Sequence, residues 1–300
     1  MSKLYDVIVI GTGIAGLSAA KQCAQDGLST AMMEALLFGG LVTNVNALDG
    51  EISGSGVDLA ATMMQAARKL GAENIAATVT GVAKDGDAYG VTSDAGAHRA
   101  RAVIIASGAR LRRLGVPGEV ELQDMGVSNC ADCDGPFYQG QDVVVVGGGD
   151  SALQEARVLM EFAKTVHLVH RGEHFSAQQH LADKVAACAN ITVHWHTTVA
   201  AVLGDGAVSG VRVRDAAGVE KEIPCTGFFA YIGLEPACEF APAEIGRDAG
   251  GRLLTDAALQ TAVPGVFAAG AVRSGCGGLL THAVADGIAA AKSAVARLRG

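Results

Sequence analysis

Residues 5–16 read Tyr5-Asp6-Val7-Ile8-Val9-Ile10-Gly11-Thr12-Gly13-Ile14-Ala15-Gly16. A short β-branched run enters a glycine-rich turn, and helix-forming sequence follows. A strand that is apolar on both faces belongs in a parallel sheet covered on both sides. Gly11 makes the tight turn. Gly13 lets a pyrophosphate approach the backbone, and Gly16 lets helix and strand pack closely. The helix predicted over 17–24 aims its first N–H groups at the phosphates, Ile14 and Ala15 lying within the turn. The next strand-like run, 28–33, leads into Glu34, an acid at the distance that suits a ribose hydroxyl.

The pattern occurs twice. Residues 141–152 read Gln141-Asp142-Val143-Val144-Val145-Val146-Gly147-Gly148-Gly149-Asp150-Ser151-Ala152. Gly147, Gly149 and Ala152 hold the three motif positions, with Asp150 and Ser151 opening a helix predicted over 151–162. A second strand, 165–170, ends in His170-Arg171-Gly172-Glu173. Two dinucleotide units predict an α/β chain of two Rossmann-like domains. The simplest enzyme with both moves a hydride from a nicotinamide to a flavin.

Bulk composition sets outer limits. A length of 300 residues fits two domains at about 150 each. No apolar run reaches the ~18 residues of a membrane span. The first residues lack the zones of a signal peptide, which predicts a cytoplasmic protein. The net charge of -8 comes with no basic cluster, so no nucleic-acid partner is expected. Seven cysteines, an odd number, argue against a structural disulfide framework.

Two of those cysteines are close together, in Cys130-Ala131-Asp132-Cys133. This spacing suits a disulfide or half of a zinc site. No second such pair and no histidine pair at finger spacing follows, so no metal is expected. A redox pair explains the spacing: one thiolate attacks a substrate disulfide and the other resolves the mixed disulfide. Asp134 follows directly, where a carboxyl group can protonate a leaving thiolate; a turn residue ahead of Gly135 is the plainer reading.

These motifs together resemble the low-molecular-weight thioredoxin reductase family, a group of FAD-dependent pyridine nucleotide-disulfide oxidoreductases. The matching run is G-T-G-I-A-G, Glu34, Gly39-Gly40, Ala106-Ser107-Gly108-Ala109, C-A-D-C-D-G, G-G-G-D-S-A-L-Q-E-A, and Gly265-Val266-Phe267-Ala268-Ala269-Gly270. The resemblance implies a discontinuous FAD domain, 1–114 plus 242–300, with a pyridine-nucleotide domain, 115–241, inserted in it and Val116-Pro117-Gly118 and Pro236-Ala237 as the two hinges. It implies that Cys133 faces the flavin, Cys130 attacks the substrate and Asp134 donates the proton. It also implies a homodimer and a thioredoxin-like protein or small dithiol as partner. Asn46, Ala106, Ser107, Gly108, Gly270 and Ala271 are assigned to the cofactor on the same ground.

Three departures qualify the resemblance. The family pattern H-R-R-x-x-F-R-A reads here His170-Arg171-Gly172-Glu173-His174-Phe175-Ser176-Ala177. Two arginines that would clamp a 2′-phosphate are gone, and Glu173 favours a ribose hydroxyl instead. NADH is therefore expected in preference to NADPH. Gly270-Ala271 replaces a Gly-Asp whose carboxylate accepts a bond from the flavin ribitol, which predicts looser FAD binding. An R-Q-A triplet is replaced by the turn from Gly275 to Gly278, which carries Cys276 and leads to His282. Two further readings stay open: a flavin dithiol oxidase or ferredoxin-fed reductase, and a flavoprotein that transfers electrons or senses redox state without turnover.

Overall fold

The computed structural model describes residues 3–35, 37–45, 48 and 54–300. The chain divides into two compact units, one of residues 1–110 and 235–300 and the other of 111–234. These limits differ from 114/115 and 241/242, the boundaries drawn from sequence. The chain leaves and re-enters the first unit within two short strands that pair with each other. Val116-Pro117-Gly118 therefore lies inside the second unit, and Pro236-Ala237 inside the first.

The first unit begins with β1 (Leu4–Ile10), α1 (Ile14–Gln25) and β2 (Thr30–Glu34). After α2 (Gly56–Lys69) come β3 (Glu73–Ala76), β4 (Val79–Asp85), β5 (Ala88–Ser93) and β6 (Gly96–Ile105). Ser55 caps α2 by accepting from Asp58 N–H at 3.1 Å, while Asp58 in the first turn and Arg68 and Lys69 in the last suit the helix dipole. The exit strand is β7 (Ala109–Leu111).

The second unit holds β8 (Val127–Ser128), α3 (Ala131–Asp134), β9 (Asp142–Gly147), α4 (Asp150–Leu159), β10 (Thr165–Val169), α5 (Gln179–Ala186) and β11 (Ile191–His194). It continues through β12 (Thr198–Gly204), β13 (Val208–Arg214), β14 (Glu220–Pro224) and β15 (Gly227–Tyr231). The return strand β16 (Leu234–Pro236) precedes β17 (Val266–Ala268) and α6 (Leu280–Arg299) of the first unit.

The first sheet runs β3-β2-β1-β6-β5-β4. β6 is long enough to pair twice on one side. Its first half is antiparallel to β5, and its last residues, Val103 to Ile105, are parallel to β17. Alternation along β1 sends Val7 and Val9 to the α1, α2 and α6 side, and Ile8 and Ile10 to the opposite core. The second unit repeats the plan with the parallel order β11-β10-β9-β15-β8. Val143 and Val145 pack under α4, while Val144 and Val146 face the antiparallel sheet β12-β13-β14.

Glycine is required where β1 turns into α1. Gly11 has φ +97°, and a Cβ on Gly16 would lie 2.0 Å from the Gly11 carbonyl oxygen. Gly16→Ala is expected to cost about 3 kcal/mol or more of unfolding free energy through this clash. Urea unfolding against the parent protein measures it.

His167 and His194 meet on adjacent strands of the second sheet, Nδ1 to Nε2 at 3.1 Å. Burial, the His167 ring and Lys221 together push His194 down to about 4. Burial also lowers His167, opposed by the charge of Asp142. The folded state thus binds fewer protons here than the unfolded chain, whose imidazoles take them near 6.5. Stability from this pair is complete above that value and falls as pH drops toward 4. His194→Asn is expected to flatten the loss between pH 7 and 5, read as the difference in urea midpoints.

Candidate active site and dinucleotide cradles

In the first unit the N-terminus of α1 is buried and has no side-chain cap: Gly13 occupies the N-cap, and Ile14 and Ala15 are buried behind it. A buried helix end without a cap needs partners for its first N–H groups, and a phosphate supplies them. Glu34 ends β2 beside this turn. Its carboxylate accepts from the Thr12 N–H at 3.0 Å, the Thr12 hydroxyl at 3.3 Å and the Ala35 N–H at 3.0 Å. Gly39 donates to the Thr12 carbonyl at 2.8 Å and bridges to Gly13. Gly40, with nothing nearer its Cβ position than Gly13 at 3.5 Å, continues that wall. The residues present therefore fit one end of a dinucleotide such as FAD. Asn46 lies outside the described residues.

The remaining FAD assignments have mixed surroundings. Ala106 donates to the Ile10 carbonyl at 2.8 Å. The Ser107 hydroxyl donates to the Ala237 carbonyl at 2.5 Å, and Ala237 N–H donates to Gly108 at 3.1 Å. Ser107 is thus tied to its own unit's return segment. Gly270 donates to the Asp286 carboxylate at 3.0 Å, which also takes both ends of the Arg273 guanidinium at 2.7 Å. Asp286 is buried and both its oxygens are engaged. Ala271, half-buried next to Gly270, offers no acceptor of its own. Cys276 is half-buried, and the His282 ring fills the space above Gly277.

In the second unit a pocket of about 660 Å³ opens at the turn between β9 and α4. Gly147, Gly149, Asp150, Ser151, His170, Arg171 and Ser176 line it, with Arg112 and Tyr231. Gly147 has φ +146°, and a Cβ there would meet the Tyr231 carbonyl at 2.4 Å. α4 again has a glycine N-cap without a side-chain bond. Asp150 opens that helix, but Gln178 holds its carboxylate through its N–H and side chain at 2.8 and 2.7 Å, and this keeps the carboxyl below its usual range.

The segment after β10 folds back on the glycine turn. The Gly148 carbonyl accepts from the Ser176 N–H, the Ser176 hydroxyl and the Ala177 N–H at 2.8, 3.1 and 3.0 Å. His170 packs against Phe175 and Trp195, with ring centroids at 5.6 and 5.8 Å. Glu173 does not line the pocket; it is exposed and lies 3.7 Å from His174.

Cys130 and Cys133 form a disulfide with Cα atoms 5.3 Å apart. Cys130 is the N-cap of α3, and its Sγ accepts from the Cys133 N–H at 3.2 Å. Cys130 is half-buried and Cys133 exposed. Asp134 closes the helix, half-buried, its N–H donating to the Cys130 carbonyl at 3.1 Å. Phe137 stands 75% exposed four residues after Cys133. Among the described residues no cluster of three or more metal-ligating side chains could hold a metal ion.

Residues 5–294 match the family described as Pyridine nucleotide-disulphide oxidoreductase. The chain belongs to that family. It is similar to the thioredoxin reductase of Treponema pallidum (strain Nichols), 37% identical over 295 residues, covering 97% of this chain and 96% of the relative. It is 39% identical over 299 residues to the thioredoxin reductase of Bacillus subtilis (strain 168), covering 97% and 94%. The solved structure of Lactococcus lactis thioredoxin reductase in the FR conformation superposes with a TM-score of 0.90 at 34% identity, covering 97% and 98%.

This oxidoreductase is therefore a thioredoxin reductase-like flavoenzyme with two Rossmann-like units. No helix among its described residues is long and apolar enough to cross a membrane. Sequence reasoning missed two of its residues near the pair, Glu155 and Tyr231. Neither carries a local signal: Glu155 reads as an ordinary helix-surface acid, and Tyr231 as the last residue of an apolar strand.

Proposed function

We propose that this enzyme reduces the disulfide of a thioredoxin-like protein, using NADH in preference to NADPH, with Cys130 and Cys133 as the exchanging pair. The observation that carries the reading is the disulfide on α3 together with a nucleotide-sized pocket in the same unit. FAD, held at the first cradle, supplies the two-electron link between a reduced nicotinamide and a disulfide.

The chemistry assigned to the chain's own residues follows from thiol exchange. In the dithiol state the Cys130 thiolate attacks one sulfur of the substrate disulfide, forming a mixed disulfide and expelling a thiolate. Asp134 delivers a proton to that leaving sulfur. The Cys133 thiolate then attacks Cys130 Sγ, releasing the second substrate sulfur and restoring the Cys130–Cys133 bond. Two electrons pass from the pair to the substrate. Phe137 gives a protein substrate an apolar contact to bury.

The NADH preference rests on Gly172 and Ser176 standing where the family has arginines, since Glu173 is turned away from the pocket. Arg171 is the motif arginine that remains. Gly11, Gly13, Gly16, Glu34 and the Gly39-Gly40 turn are the proposed FAD ligands. A homodimer remains the family expectation.

Anaerobic titration of the FAD-reconstituted protein tests the donor. NADH is expected to bleach the flavin near its oxidised maximum, with NADPH weaker. No bleaching by either nucleotide would overturn the donor assignment. Ala271→Asp is expected to slow flavin loss on dialysis severalfold, because it restores an acceptor at the ribitol position.

A further inference from the structure

Cys130 begins a helix whose first turn is partly occupied from behind. The Ala131 N–H, at the first position of that turn, donates to Glu155 Oε2 at 3.1 Å. Glu155 projects from α4, and the same oxygen accepts from the Tyr231 hydroxyl on β15 at 3.3 Å. The other charged group facing it is Asp132 of α3, also an acid. No hydrogen bond or ion pair to a cation is recorded for Glu155 among the described residues. Burial, and then the charge of Asp132, push its carboxyl up, while the two donors pull it down.

We propose that Glu155 is a positioning residue for the disulfide: it fixes the Cys130–Cys133 turn through Ala131, and its charge disfavours a thiolate at Cys130. The proposal rests on the pair being the exchanging disulfide. Helix N-termini and nearby cations ordinarily lower a thiol pKa. Here the Ala131 N–H is taken by a carboxylate, whose charge opposes the stabilisation that the Cys133 N–H gives Cys130 Sγ. A dithiol whose thiolate is not stabilised is the stronger reductant, because stabilising the reduced form is what makes such a pair oxidising. Glu155 thereby biases the pair toward giving up electrons. Its ionisation also links that bias to pH.

The test uses the full chain, reduced anaerobically, with iodoacetamide alkylation read on the Cys130 peptide by mass. Glu155→Gln keeps an acceptor for Ala131 and removes the charge. It is expected to lower the Cys130 thiol pKa by about one unit. At a pH above the thiol pKa of both proteins it should also move the equilibrium with glutathione about tenfold toward the dithiol, which is about 30 mV for a two-electron couple. In the parent protein the Glu155 charge opposes the thiolate, so over the range where that carboxyl ionises log rate rises by less than one per pH unit. The glutamine variant restores unit slope. A variant thiol pKa and glutathione equilibrium unchanged from the parent would overturn the proposal. Should the variant fail to fold, a parent profile of unit slope throughout would overturn it equally. Failure of the parent pair to exchange with glutathione at all would instead sink the redox-pair reading.

Discussion

Cys130→Ser is expected to lower NADH-dependent reduction of a thioredoxin-like disulfide by roughly a thousandfold or more, since it removes the attacking nucleophile. NADH should still bleach the flavin, because neither dinucleotide cradle includes Cys130. Cys133→Ser should be equally inactive for a different reason. It leaves Cys130 able to attack but removes the resolving thiol, so the enzyme stays linked to its partner. A non-reducing gel of each variant with a disulfide partner separates the two roles. A covalent complex is expected with Cys133→Ser and none with Cys130→Ser. The opposite pattern would reverse the assignment, and turnover above a tenth of the parent in either variant would remove the pair from the reaction.

Ser176→Arg is expected to raise kcat/KM for NADPH at least tenfold and leave NADH within about threefold. A charge-assisted contact contributes about 1.5–3 kcal/mol, which is more than a factor of ten. Ser176 lines the pocket and is exposed, so a longer side chain has room. The change forfeits the hydroxyl bond to Gly148 but keeps the backbone bonds that shape the segment. Gly172→Arg is a poorer choice. A Cβ there would stand 2.9 Å from the His170 ring, which is held by the His174 carbonyl at 3.0 Å. Steady-state kinetics with both nucleotides decide the matter. An unchanged NADPH constant in Ser176→Arg would mean that the segment does not meet the adenosine ribose.

Much of the fold can be read from residues 5–16 and 141–152, because a buried parallel strand ending in a glycine turn leaves little choice of structure. The cysteine pair is equally plain, since two residues between cysteines place them on one helical turn. Other features depend on contacts distant in sequence. Ser107 bonds Ala237, and Asp286 bonds Gly270 and Arg273; no local pattern announces either. Glu173 falls at a suggestive position in the motif, yet the backbone turns it to solvent beside His174. Glu155 sits in an unremarkable helical run, and only the packing of α4 behind α3 gives it a partner in Ala131. The unit limits fall within β7 and β16, two strands that pair with each other, rather than at the proline-containing turns.

The most direct measurement follows the pair itself. The FAD-reconstituted protein is reduced anaerobically with NADH, quenched with an alkylating agent, and the Cys130–Cys133 peptide is weighed. The account predicts a disulfide before NADH and two alkylated thiols after it. A flavin bleached by NADH while the peptide keeps its disulfide would contradict it.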